Sequence, residues 1–123
     1  MGGAIGLRNQ GANVRMKYRE LVEFTGNSNL PDAMKWANAG LGLTGEAGEV
    51  ADLIKKFVMH GHTLEKDKLI KELGDVRWYL ELACILAGTT MEEVEQRNIE
   101  KLMARYPNGF STEASINRPG KEL

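Results

Sequence analysis

Four carboxylates stand in two short words of the sequence: Glu46 and Glu49 in G-L-T-G-E-A-G-E-V, and Glu72 and Asp75 in K-E-L-G-D-V. In each word the acids are three residues apart, close to one helical turn, among apolar residues at helical spacing. With Glu46 set at zero on a helix that turns about 100° per residue, Leu43, Val50, Leu53, Ile54 and Phe57 fall within about 80° of it. With Glu72 at zero, Leu69, Val76, Tyr79, Leu80, Ala83 and Ala87 do the same. An isolated carboxylate on a core-facing arc costs several kcal/mol to bury, and like charges a turn apart add to the cost. Such acids need protons or cations.

The two words are also mirror images in position. The midpoint between Glu49 and Glu72, and that between Glu46 and Asp75, both fall between His60 and Gly61, where the sequence signals a turn. An antiparallel hairpin about that point brings all four acids together from helices packed ~8–10 Å apart. Basic side chains do not supply the charge: Lys71 and Arg77 project away from Glu72, Lys55 lies about 180° from Glu46, and only Lys56 points along the side of Glu49. A hard divalent cation, Mg²⁺ with Mn²⁺ as a substitute, accepts carboxylate oxygens, keeps waters and bridges to phosphate oxygens. The alternative, that the acids line solvated faces of amphipathic helices, is disfavoured by the matched spacing, matched arcs and mirrored register.

These acids require helices to hold them, and the chain reads as all-α. Val14, Tyr18, Leu21, Val22 and Phe24 predict a helix from Asn13 to Thr25, closed by Gly26-Asn27-Ser28-Asn29. Pro31 and Asp32 open a long helix that stops at His60-Gly61. Its glycines, Gly40, Gly42, Gly45 and Gly48, predict a kink or a close approach to the backbone. Thr63 is the expected N-cap of a third helix over 64–87, ended by Gly88, and the capping-box spacing of Thr90 and Glu93 starts a fourth over 91–105. No strand-period segment intervenes. The expectation is a four-helix bundle-like domain over 16–110 whose second and third helices form an antiparallel hairpin, with a flexible leader over 1–15 and a loosely held polar tail over 111–123.

Composition narrows the functions. The 123 residues carry 16 basic and 17 acidic side chains, a net charge of -1, so no overall field recruits nucleic acid or an anionic membrane. No apolar run reaches the ~20 residues of a membrane span, and no signal peptide is visible. The lone Cys84 fits a reducing cytoplasm and reads as a small buried hydrophobe rather than a nucleophile. His60 and His62 lack a third metal ligand nearby. On the fourth helix Asn98, Lys101 and Arg105 share a side with Val94 and Leu102, so they are candidates to hold phosphate oxygens from an inward face. Lys56 is a further phosphate candidate. Trp36 either stacks on a base or belongs to the core, and Trp78, facing away from Glu72, is assigned to packing or a subunit contact.

E-x-x-E on one helix followed by E-x-x-D on the next resembles the MazG-like nucleoside triphosphate pyrophosphohydrolases of the all-α NTP pyrophosphatase superfamily. K-E-L-G-D-V-R-W-Y-L and R-N-I-E-K-L-M-A-R-Y-P-N-G-F resemble that family as well, and the likeness covers roughly residues 30 to 110. It implies hydrolysis of a nucleoside triphosphate, deoxy or non-standard, to the monophosphate and pyrophosphate, by a homodimer or homotetramer. It implies that Glu46, Glu49, Glu72 and Asp75 hold Mg²⁺ and that a glutamate, Glu49 or Glu46, orients or deprotonates the attacking water. Asn38 matches the family's polar position ahead of the first motif, and Asn98 and Lys101 match its downstream pair. Two other readings stay open: the related phosphoribosyl-ATP pyrophosphohydrolase, and a nucleotide- or metal-binding module without turnover. A di-iron bundle is disfavoured because its Glu-x-x-His pairs are missing.

Overall fold

A computed structural model describes residues 14–123, with side chains from residue 17 onward. The leader expected over 1–15 lies outside the described residues, except that 14 and 15 open the first helix. The elements run α1 (Val14–Thr25), α2 (Asp32–Met59), α3 (Lys66–Ala87), α4 (Met91–Arg105) and α5 (Thr112–Asn117). No strand occurs among the described residues beyond an isolated bridge between Pro107 and Gly109. The fold is all-α, as its helical periods require.

The chain divides into two compact units, the first ending at Gly88 and the second running Thr89–Leu123. In the first unit α2 and α3 form the expected antiparallel hairpin. Its turn is built by the amides of His60 and His62, which both donate to the Lys56 carbonyl at 3.1 and 3.0 Å. Gly61 supplies the left-handed residue, at φ 72°. The chain then runs without helical bonds to Glu65, the N-cap of α3, so Thr63 is not the cap and α3 starts two residues late.

Close packing of the hairpin depends on one glycine. A Cβ at Gly42 would overlap the ring of Tyr79, whereas Gly40, Gly45 and Gly48 have open space beside them. Gly42 is therefore where the helix backbone is closely approached, and α2 continues unbroken through all four glycines.

Helix α1 packs on α3 through Val22, which is fully buried, and through a charged network. Glu81 is buried at 3% exposure between Arg77 at 2.8 Å and Arg19 at 3.8 Å, and the Arg77 guanidinium also covers the Tyr18 ring at 4.6 Å. Burial pushes the Tyr18 hydroxyl up from its ordinary pKa, and it pushes the buried Cys84 thiol up likewise. At the end of α1, the Thr25 hydroxyl donates to the Leu21 carbonyl at 2.8 Å and accepts from Trp78 Nε1 at 2.9 Å. With 12 residues, α1 is ~18 Å long against ~42 Å for the 28 residues of α2. It covers one end of the hairpin. Near the turn, Ile54, Phe57, Val58, Met59, Ile70 and Leu73 are each at least 44% exposed, and of these Ile54 and Phe57 belong to the arc expected to be core.

In the second unit α4 starts where the sequence places it: Thr90 Oγ1 accepts from the Glu93 amide at 3.1 Å. The Glu93 carboxylate accepts from the Thr89 hydroxyl and pairs with Arg97 at 2.9 Å. The stretch expected as a loose tail is structured instead. Ser111 caps α5 by accepting from the Ala114 amide at 3.1 Å, and the Pro119 carbonyl accepts from Arg105 Nε at 3.2 Å. Gly120, at φ 79°, lies so close to α4 that a Cβ there would sit 2.9 Å from that of Ala104.

Candidate metal centre

The mirrored register brings three of the four acids together. Carboxylate oxygens of Glu46, Glu72 and Asp75 lie within 4.8 Å of one another, with Glu46 and Glu72 half-buried and Asp75 exposed. Glu46 comes from the middle of α2, and Glu72 and Asp75 come from successive turns of α3. No salt bridge of the described residues reaches any of the three. The Glu46 pKa is raised, first by burial and then by the negative charges of Asp75 and Glu72, a hydrogen bond to Glu72, and the charge of Glu49.

Glu49 stands apart. It is exposed, one turn along α2 from Glu46, and outside the group of three. The helix rotates it about 60° from Glu46. The neighbouring cation on that side is already engaged: Lys56 Nζ pairs with Asp52 at 2.8 Å. That bond lowers the Asp52 pKa and raises that of Lys56, to which the charge of Glu49 also contributes. Asp52 went unremarked in the sequence because an acid four residues before a lysine reads as an ordinary helix pair.

The three acids fit a hard divalent ion by donor type and by spacing. Around an octahedral Mg²⁺ with oxygens at ~2.0–2.1 Å, adjacent oxygens lie ~2.9 Å apart and opposite ones ~4.2 Å, so the three carboxylates would have to draw in to hold the ion. A cavity of ≈ 370 Å³ opens beside them, lined by Thr25, Glu46, Asp75, Trp78 and Tyr79. Trp78 is thus a neighbour of the acids rather than a remote packing residue. It faces away from Glu72 but lies one turn beyond Asp75, and its indole N–H donates to Thr25, which lines the same cavity.

The other candidates are dispersed. Asn38, half-buried, lines a second cavity at the other end of the hairpin. Trp36 is 51% exposed and lines neither cavity. In the second unit Asn98 is exposed, Lys101 and Arg105 are half-buried, and Arg105 is held by the Pro119 carbonyl. His60 and His62 are exposed, with ring centroids 6.3 Å apart.

Comparison with known proteins bears on residues 37–110, which match the model of the MazG nucleotide pyrophosphohydrolase domain. The match runs from α2 through α4. The chain is also 35% identical over 82 residues to the "Gene 37 protein" of Mycobacterium phage L5, an alignment covering 63% of this chain and 72% of that protein. No solved structure matches the chain significantly.

Proposed function

The chain belongs to the MazG nucleotide pyrophosphohydrolase domain family, and from that premise we propose that it hydrolyses a nucleoside triphosphate, deoxy or non-standard, to the monophosphate and pyrophosphate with Mg²⁺. The observation that carries the proposal is the group Glu46, Glu72 and Asp75, convergent within 4.8 Å and without a paired cation.

In this reading Glu46, Glu72 and Asp75 hold the metal, with Glu49 joining them or serving its outer side. When bound, Mg²⁺ neutralises charge on the phosphates and on the pyrophosphate leaving group. Glu49, exposed and one turn away, accepts a proton from the attacking water and orients it, with Glu46 as the alternative base. Lys56, held in place by Asp52, meets phosphate oxygens on the side of Glu49. Asn98, Lys101 and Arg105 are assigned to substrate contacts on the sequence match and their placement on α4. The bare apolar end of the hairpin is covered by a second copy, giving a homodimer or homotetramer.

The test is a panel of NTPs and dNTPs with Mg²⁺, reading nucleoside monophosphate and pyrophosphate. Release of both is expected, and Glu49→Ala is expected to lower kcat by about 10²–10⁴-fold, the ordinary range for losing a general base. Release of orthophosphate alone, or no turnover of any nucleotide, refutes the reading. Turnover of phosphoribosyl-ATP but of no free nucleotide would select the related histidine-precursor activity instead.

A further inference from the structure

Gly42 and Tyr79 stand at equal distances from the His60-Gly61 turn, as Glu46 and Asp75 do, so the two pairs are successive rungs of one antiparallel ladder. Gly42 comes four residues before Glu46 and Tyr79 four residues after Asp75, about one turn and ~6 Å along each helix. At this rung the half-buried Tyr79 ring occupies the space that a side chain in place of Gly42 would need. Gly45, next to Glu46, and Gly48 have no such neighbour. One glycine therefore sets how near α3 comes to α2 beside the acids.

The ring is braced where it sits. It meets the Trp78 indole edge to face, with centroids 4.9 Å apart, and that indole is held by Thr25 of α1 at 2.9 Å. An atom added at Gly42 thus displaces a helix rather than a ring. The acids one turn away are sensitive to such a displacement. Their oxygens lie within 4.8 Å of one another, wide for Mg²⁺, whose ligands stand at ~2.0–2.1 Å, and nearer the reach of Ca²⁺ at ~2.3–2.6 Å. Mg²⁺ tolerates little departure from an octahedron, whereas Ca²⁺ accepts a wider and less regular set of oxygens.

We propose that Gly42 and Tyr79 are positioning residues for the metal: the ring seated on the glycine backbone fixes the spacing of α2 and α3 at the acids, and so selects the smaller ion. The proposal rests on the metal reading of Glu46, Glu72 and Asp75, and its test needs neither nucleotide nor turnover. Uptake of Mn²⁺ by the full-length protein is followed by electron paramagnetic resonance, with Mg²⁺ and Ca²⁺ added as competitors, and the ratio of Mg²⁺ to Ca²⁺ affinity is read. Gly42→Ala is expected to weaken Mg²⁺ about 10–100-fold, the scale for groups that orient metal ligands without touching the ion, and Ca²⁺ by less. The ratio should therefore fall. Tyr79→Leu, which removes the ring without crowding the glycine, is expected to lower it too. Tyr79→Phe keeps the ring and should keep the ratio. So should Gly45→Ala, which adds the same methyl group to the same helix in open space. Circular dichroism checks that each variant folds.

An unchanged ratio in folded Gly42→Ala or in Tyr79→Leu overturns the proposal. So does a fall in Gly45→Ala as large as that in Gly42→Ala, or one in Tyr79→Phe as large as that in Tyr79→Leu. If Gly42→Ala does not fold, Tyr79→Leu against Tyr79→Phe decides alone. A wild type that takes up none of the three ions refutes the metal centre and the proposal together; one that takes them up, with a ratio the variants do not move, keeps the metal centre and loses this control of it.

Discussion

At the scale of single residues, Glu46 concentrates the chemistry. Its carboxyl is pulled partly out of water and faces two others, so its pKa is raised in the fold. A carboxyl with a raised folded pKa favours the folded state most at pH values below its ordinary pKa, and that contribution is lost as pH rises through the raised value. At neutral pH the ionised Glu46 therefore weakens the fold unless a cation offsets its charge. Adding Mg²⁺ at neutral pH is expected to raise Tm, the shift shrinking as pH falls and protons compete for the same oxygens; thermal scans across pH with and without the ion read this. Glu46→Gln should raise the Tm of the metal-free protein at neutral pH and erase most of the shift with Mg²⁺. Glu49→Ala should leave much of that shift in place, because Glu49 lies outside the trio.

At the scale of elements, what matters is how tightly α2 and α3 approach and how α4 begins. Gly42→Ala places a methyl group inside the Tyr79 ring, and overpacking of this kind costs about 1–3 kcal/mol. Gly45→Ala meets open space and relieves a helix-interior glycine, so it should stabilise by up to about 1 kcal/mol. Denaturant melts of the two variants should thus move in opposite directions. In α4, Thr90→Ala removes the oxygen that accepts the Glu93 amide, and loss of such a cap costs about 0.5–2 kcal/mol. The Glu93 carboxyl is held below its ordinary pKa by the Thr89 hydroxyl and by Arg97. Its contribution is full above the ordinary carboxylate pKa and is lost as pH falls through the depressed value, so helix content in α4 should decline under acid, as circular dichroism or amide shifts would register.

For the whole molecule, the question is what covers the apolar residues around the hairpin turn. Val22, Ala39 and Cys84 are the buried hydrophobic residues of the described chain, a small core for two long helices. Ile54, Phe57 and Ile70 instead stand well exposed. Light scattering is expected to find a dimer or tetramer, and Phe57→Asp to shift it toward the monomer; a monomeric wild type at micromolar concentration would contradict the second-copy reading. Within the first unit, the buried Glu81 between Arg77 and Arg19 ties α1 to one end of the hairpin.

Much of the protein is legible in its sequence. Helical periods, glycine stops and the Thr90–Glu93 box place α2 and α4 within a residue or two, because these signals act over a single turn of chain. The mirrored spacing of the acids about His60-Gly61 identifies the hairpin and its charged centre, because a straight antiparallel pair has one register for a given turn. Only the tertiary structure decides what the approach of two curved surfaces leaves on each side. It puts Glu49 outside the group that Glu46 joins, although Glu72 and Asp75, spaced alike on α3, both belong to it. It turns Trp78 to the acidic cavity through a bond to Thr25, 53 residues away in sequence. It sets Asn38 in the lining of a cavity to which α1, α2 and α3 all contribute. Spacing along one helix specifies the angle at which a side chain leaves its axis; what that side chain meets depends on the helices that arrive opposite.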